Sequence, residues 1–323
     1  MSAFTLSEPS PDLPLATIVG GADVPLDTLD PSQVGEHLRR YGALLVRGFA
    51  TEVASFERFA RTLCPISVFN ESPDRETLSA ETTVQTVNLG TDPFPLHPEL
   101  SREPWRPDAC LFACFAAPSS DGETTVCDGV GIVERLPAAL VEQMKGRRLL
   151  YIQAAPPELL QHWLGTLTPD DTLLASPPAS CPYWFRRVRG GIIRGFSRPL
   201  LHRPLFDDRI CFGNFVLFAR DYLHRPNFPC LDDGQPVPET WLGAIREAAA
   251  TLTYAHRWQP GDVLVLDNSR FMHGRRAISD PRGRRIASYF GYLPFAPAQP
   301  EEGKDPFWRS RSFTPPTRER MRA

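Results

Sequence analysis

No stretch of this chain is apolar for long enough to cross a bilayer. Its opening residues, Met1-Ser2-Ala3-Phe4-Thr5-Leu6-Ser7-Glu8, lack the basic and apolar regions of an export signal. A cytoplasmic protein without a membrane partner is expected. An excess of one charge is missing too. A formal net charge of −3 over 323 residues offers no broad basic surface for nucleic acid. Cysteine is scarce, and its seven copies are odd in number and lack framework spacing, so free buried thiols are expected rather than disulfides. Cys110 and Cys114 fall in the wholly apolar run 109–115, which reads as a buried strand and not as a zinc knuckle.

Proline is what the chain has in quantity. Its 34 copies argue against a helical bundle and for short strands joined by shaped loops. The expected class is mainly β with flanking helices (α+β), in a chain long enough to bury a sizeable core.

Residues 1–30 hold few periodic signals and read as an extended N-terminal arm with one edge strand. Residues 31–42 suggest a short helix closed by Gly42. A buried strand follows at 43–49 and an amphipathic helix at 52–63. The apolar strand at 107–116 and a turn into another at 121–128 come next. Gly129 to Arg135 looks too glycine-rich for more than a turn of helix, and a clearer short helix runs from Pro137 to Lys145. The stretch at about 150–210, punctuated by proline pairs and Gly190-Gly191, reads as a loop-rich insertion. A strand is expected at 211–218 and a helix at 238–252. The pattern at 263–267 is a strand apolar on both faces, and 284–293 is a return strand. The 294–323 tail is polar, proline-rich and expected to be poorly ordered. Residues 31–293 therefore form one domain.

Two short stretches carry chemistry. In Phe94-Pro95-Leu96-His97-Pro98-Glu99, His97 and Glu99 lie two residues apart, on one side of an extended strand. Far downstream, the 263–267 strand delivers Asn268-Ser269-Arg270-Phe271-Met272-His273. Two imidazoles and one carboxylate occupy one face of an octahedral metal and leave the other positions open, as in non-haem Fe(II) oxygenases. An isolated H-x-E is weak, because such pairs arise often by chance.

Four motifs in order strengthen it. His97-Pro98-Glu99, Asp121-Gly122-Glu123-Thr124, His273 and Arg284-Arg285-Ile286 together resemble the taurine dioxygenase/clavaminate synthase superfamily, over roughly residues 35–293. The middle stretch from Leu231 to Pro236, leading into a helix, looks closest to its amino-acid hydroxylase-like branch. One departure is Asp121, which stands where the family's turn has glycine.

The resemblance implies a double-stranded β-helix (jelly-roll) core. It implies Fe(II) held by His97, Glu99 and His273, with 2-oxoglutarate and O2 as co-substrates. The far carboxylate of 2-oxoglutarate would be gripped by arginine, whose planar fork suits it. Arg285 is the first choice, because it immediately precedes the isoleucine; Arg284 is the alternative on the opposite strand face. Thr124 would donate its hydroxyl to the same carboxylate. Because Glu99 retains the carboxylate that related halogenases lack, hydroxylation is favoured over halogenation.

The expected reaction is hydroxylation of an unactivated C–H bond in a small polar substrate, an amino acid or derivative in a natural-product pathway, free or on a carrier protein. Succinate and CO2 would be the co-products. Candidate substrate residues are Asn88, Asn214, Arg194 and Arg198, whereas Arg275 and Arg276 read as a solvated loop. Oxidation of a sulfonate or sugar acid, desaturation or cyclisation, and a non-catalytic binding module all stay open. Oligomeric state is not legible.

Overall fold

The computed structural model describes all residues except 1–3, 71, 73, 74, 80–82, 304 and 317–323. Its larger sheet runs in the order Thr5–Ser7, Ala16–Val19, Ala43–Arg47, Val263–Asp267, Ala109–Ala116, Arg285–Tyr292 and Ile66–Ser67. Gln85–Thr86 also pairs with Arg285–Tyr292. A smaller sheet runs Tyr254–His256, Thr124–Asp128, Phe271–Arg275, Phe94–His97. Between the two lies an apolar layer, with Phe112, Leu264, Leu266, Ile286 and Phe290 from the larger sheet meeting Val126 and Phe271 from the smaller.

Strand alternation explains why Val263–Asp267 is apolar throughout. Leu264 and Leu266 enter that layer, while Val263 and Val265 join a second core with Leu38, Phe56 and Phe59 from two helices on the outer face. Those helices are Pro31–Tyr41 and Val53–Leu63. The first starts at Asp30, whose carboxylate accepts from the Ser32 amide, and stops at Gly42, whose φ of 75° suits glycine. Two sheets sandwiched in this way, with helices outside, make a double-stranded β-helix, or jelly roll.

Several expectations about the periphery need correction. The N-terminal stretch supplies two strands to the larger sheet, and Leu15, Ala16, Ile18 and Leu26 are buried there. The 150–210 stretch is no loop. Trp184–Val188, Gly191–Pro199 and Arg148–Ala154 form a third sheet with Cys230–Leu231, backed by the Pro157–Leu164 helix. Pro156-Pro157 starts that helix, and Gly190-Gly191 turns a hairpin, so these apparent breakers are element boundaries. Gly129–Arg135 is a full helix, started by the Asp128 side chain. The expected strand at 211–218 is instead a bridge at Cys211 followed by the helix Val216–Asp221. The tail is docked as far as Pro316 is described. Trp308 is buried, and Arg309 grips the Asp108 carboxylate through two bonds of 2.8 Å. Residues 317–323 lie outside the described residues.

All seven cysteines are free. Among the described residues, no helix is long and apolar enough to cross a membrane.

Candidate metal centre

His97 and His273 are paired directly across neighbouring strands of the smaller sheet, their ring centroids 4.7 Å apart. The chain then turns through Pro98, and Glu99 follows at the strand end. Leu100 takes a φ of 50°, in the left-handed region that a leucine rarely adopts. Glu99 is thereby brought under the two imidazoles, its Oε2 lying 3.8 Å from His273 Nε2. One ligand atom from each of the three residues falls within 4.8 Å of the others, near enough for one ion to reach them all.

The surroundings fit a metal. His97 Nδ1 lies 2.8 Å from the Pro95 carbonyl, which fixes the proton there and leaves Nε2 as the ligand atom. Phe218 packs on His97 and Phe112 on His273, with centroids 4.6 and 4.9 Å away. Burial lowers the pKa of both histidines, and for His273 the nearby His97 and Arg75 lower it further. Both rings are therefore held neutral, as a metal ligand must be. Glu99, 3% exposed, takes a 2.6 Å hydrogen bond on Oε1 from Asn70 and an ion pair on Oε2 from Arg75 at 3.5 Å. Its backbone is held as well. Asn268 accepts from the Glu99 amide at 2.7 Å and donates to the Glu99 carbonyl at 3.0 Å. Gly274, next to His273, has to be glycine, since a Cβ would come within 2.5 Å of the Phe94 carbonyl.

A cavity of about 300 Å3 opens on the triad. Its walls carry Arg75, Arg102, Arg275 and Arg284 as well as Thr124, Asn88 and the rings of Phe94, Phe215, Phe218 and Tyr222. Thr124 is 7% exposed and receives a 3.0 Å hydrogen bond from the Trp258 indole. Asn88 borders the cavity, while its side-chain oxygen caps a turn by accepting from Gly90.

The two adjacent arginines separate here. Ile286 faces the layer between the sheets, so Arg285 faces out and lies exposed over Phe115, 5.7 Å from the ring. Arg284, two residues from Ile286, faces back into the cavity. Its Nε is buried without a partner, and burial lowers its pKa to about 10, with Arg275 adding to the effect. The order of preference between the two is therefore reversed.

Three candidate substrate residues are elsewhere. Arg194 is 5% exposed, pairs with Glu103 at 3.2 Å and stacks on Tyr183. Arg198 donates to the carbonyls of Glu103 and Pro104. Asn214 donates to the Leu200 carbonyl and accepts from the Val216 amide in the turn that leads into the next helix. Arg198 and Asn214 border a second cavity, of about 440 Å3, that none of the three ligands lines. The expected strand carrying Asn214 is absent, which is why its facing was misjudged.

Conversely, Arg275 is no surface residue. It is 6% exposed, lies over Phe94 and donates to the carbonyls of Asn88 and Asp92. Its place two residues along a strand from His273 was the available signal. Arg75 and Asn70 had none, since their approach depends on how loops fold back, whereas Arg102 lies three residues after Glu99 and was passed over. Arg276 is exposed, as expected.

A jelly roll with two histidines and a glutamate at the mouth of an arginine-lined cavity defines a non-haem iron oxygenase. Comparison with known proteins agrees. The profile of the taurine catabolism dioxygenase TauD, TfdA family matches residues 10–289, and the chain belongs to that family. The enzyme is an Fe(II)- and 2-oxoglutarate-dependent dioxygenase. It is 22% identical to the dapdiamide synthesis protein DdaC of Enterobacter agglomerans, over 83% of this chain and 88% of that one. Among solved structures it resembles a taurine dioxygenase from Burkholderia xenovorans, with a TM-score of 0.60, 16% identity and coverage of 95% and 98%. It also resembles an asparagine oxygenase in complex with Fe(II), 2S,3S-3-hydroxyasparagine and succinate, with a TM-score of 0.50, 17% identity and coverage of 81% and 78%.

Proposed function

We propose that this dioxygenase hydroxylates an unactivated C–H bond of a small polar substrate, an amino acid or a derivative of one, in a cytoplasmic biosynthetic pathway. His97, Glu99 and His273 hold Fe(II), and Arg284 with Thr124 holds the far carboxylate of 2-oxoglutarate. The bound iron supplies oxygen activation coupled to loss of CO2 from the co-substrate, which leaves as succinate. The observation that carries this reading is the shared cavity. Three neutral-or-anionic ligand groups and an arginine whose side chain donates no hydrogen bond among the described residues open into one space.

The chain's own groups divide the work. The Pro95 carbonyl fixes the His97 tautomer, and Asn70 and Arg75 hold the Glu99 carboxylate in one orientation. Arg284 and the Thr124 hydroxyl offer a charge-assisted, directional seat for a carboxylate. Phe112, Phe215 and Phe218 keep water from the reacting atoms. Similarity to an asparagine oxygenase and to a dapdiamide synthesis protein supports an amino-acid-type substrate. The volume, at the small end for ligand sites, suits a compact group, either free or presented by a carrier protein.

Anaerobic titration with Fe(II) and 2-oxoglutarate tests the cofactor assignment through the weak visible metal-to-ligand band. The band is expected in the wild type and absent in His97→Ala and Glu99→Ala. An iron-loaded wild type without a band would overturn the assignment.

A further inference from the structure

Two of the cavity's arginines have open forks. Arg284 is one, and the reading above assigns it to 2-oxoglutarate. The other is Arg102, three residues after Glu99. Among the described residues its side chain donates no hydrogen bond. Its Nε is buried without a partner, and its closest carboxylate, Glu103, is 3.8 Å away and already engaged by Arg194 and Tyr183. A guanidinium seldom stays in a cavity wall without an acceptor, because losing water there without replacement is costly.

The charge balance points the same way. Four arginines face this cavity, and Glu99 is the only carboxylate among its described lining residues. A divalent metal and a doubly charged co-substrate offset one another, so binding both leaves the positive excess in place. The excess is unevenly distributed. Arg275 spends its two terminal nitrogens on carbonyls, and Arg75 spends its own on Ser288 and Glu99. Only Arg102 keeps its terminal nitrogens for a ligand once Arg284 is taken. Beside it stand Phe215, whose ring lies 5.7 Å from the guanidinium, and the apolar groups Leu100, Phe218 and Leu223.

We infer that Arg102 is the specificity-determining residue for the oxidised substrate and receives its carboxylate. The substrate is a compact acid with an apolar body against the Phe215–Phe218 wall. Its amino group, where it is an amino-acid derivative, is acylated or otherwise uncharged, since the four arginines lining the cavity would repel an ammonium. Arg75, whose terminal nitrogens are engaged by Ser288 and Glu99, reinforces the field. This inference rests on the assignment of Arg284 to 2-oxoglutarate.

The test is calorimetric binding to the anaerobic, Fe(II)- and 2-oxoglutarate-loaded enzyme. The probes are N-acetyl-L-leucine, N-acetyl-L-phenylalanine and 3-phenylpropionate, each beside its primary amide, together with the free amino acids L-leucine and L-phenylalanine. At least one acid is expected to bind tenfold or more tightly than its amide and, for the two acetylated acids, than the parent amino acid. Arg102→Gln should erase that preference while the visible band at a fixed 2-oxoglutarate concentration stays unchanged. Arg102→Lys, which keeps the charge but not the fork, should restore part of it. Amides or free amino acids binding as well as the acids, no acid binding, or an Arg102→Gln variant that keeps the preference would each overturn the inference. Loss of the band in Arg102→Gln would overturn it too, by making Arg102 a co-substrate residue. A wild type that never shows the band condemns the cofactor reading instead, so the two failures are distinguishable.

Discussion

Asn268 clamps Glu99 by its backbone, accepting from the Glu99 amide at 2.7 Å and donating to the Glu99 carbonyl at 3.0 Å. The same amide nitrogen donates to the Pro107 carbonyl at 2.9 Å, and the residue is fully buried. One side chain thus ties the turn bearing Glu99 to the strand end that leads to His273. Asn268→Ala would leave a buried amide and two carbonyls without partners. The expected cost is about 2 to 4 kcal/mol of stability, measured by urea unfolding of the metal-free protein. Metal affinity should fall by roughly ten- to a hundredfold, as for other supports of metal ligands. Unchanged affinity in a folded variant would show that Glu99 does not need this support.

The opposed facing of Arg284 and Arg285 makes a second prediction. Arg284→Ala should raise the 2-oxoglutarate concentration needed for half-maximal band formation by roughly ten- to a hundredfold, the range expected for a lost charge-assisted hydrogen bond. Arg285→Ala should shift it by less than about twofold, because Arg285 lies outside on Phe115. The reverse pattern in this titration would mean that the return strand is turned over relative to the structure.

That pair also marks how far the sequence could be read. The triad, Thr124 and the strand that carries Ile286 were legible, since strand alternation and two motifs are local properties. Choosing between Arg284 and Arg285 needed only the facing of Ile286, which alternation would have supplied had adjacency to the isoleucine not been preferred. Arg75 was illegible for a different reason. Arg75 reaches Glu99 from 24 positions earlier in the chain, and only the folded loop determines that approach. The 150–210 stretch misled through composition, because proline at a helix start and glycine at a hairpin look the same as in a loop.

Arg194 is a structural residue, and its variants should behave accordingly. Its guanidinium pairs with the buried Glu103, which also accepts from the Tyr183 hydroxyl at 2.9 Å. Arg194→Ala would leave that buried carboxylate with only the Tyr183 hydroxyl and the longer Arg102 contact. A loss of about 3 kcal/mol is expected in chemical unfolding. The visible band and its 2-oxoglutarate dependence should be unchanged in the folded fraction. A selective change in ligand binding at wild-type stability would return Arg194 to the substrate site.

The final prediction concerns acid. His202 is half-buried with its Nε2 2.7 Å from the Ser269 carbonyl, and loss of water around the ring, with Arg106 and Arg198 nearby, lowers its pKa to about 3. Above the ordinary histidine value near 6.5 the ring is neutral in folded and unfolded chains alike, so it adds no pH dependence there. As the pH falls from about 6.5 towards 3, the unfolded chain takes up a proton that the folded one refuses, and stability is lost throughout that window. Asp267 opposes this trend. Burial raises its pKa to about 6, so between that value and about 3.9 the folded state binds the extra proton and gains stability as the pH drops. The two effects separate in a variant. Metal-free His202→Gln should unfold in urea with a shallower stability loss between pH 6.5 and 4 than the wild type, even where its stability at pH 7.5 is lower. Parallel pH profiles for the two proteins would mean that His202 takes up its proton in the folded state, and that the wall of the second cavity accommodates an imidazolium.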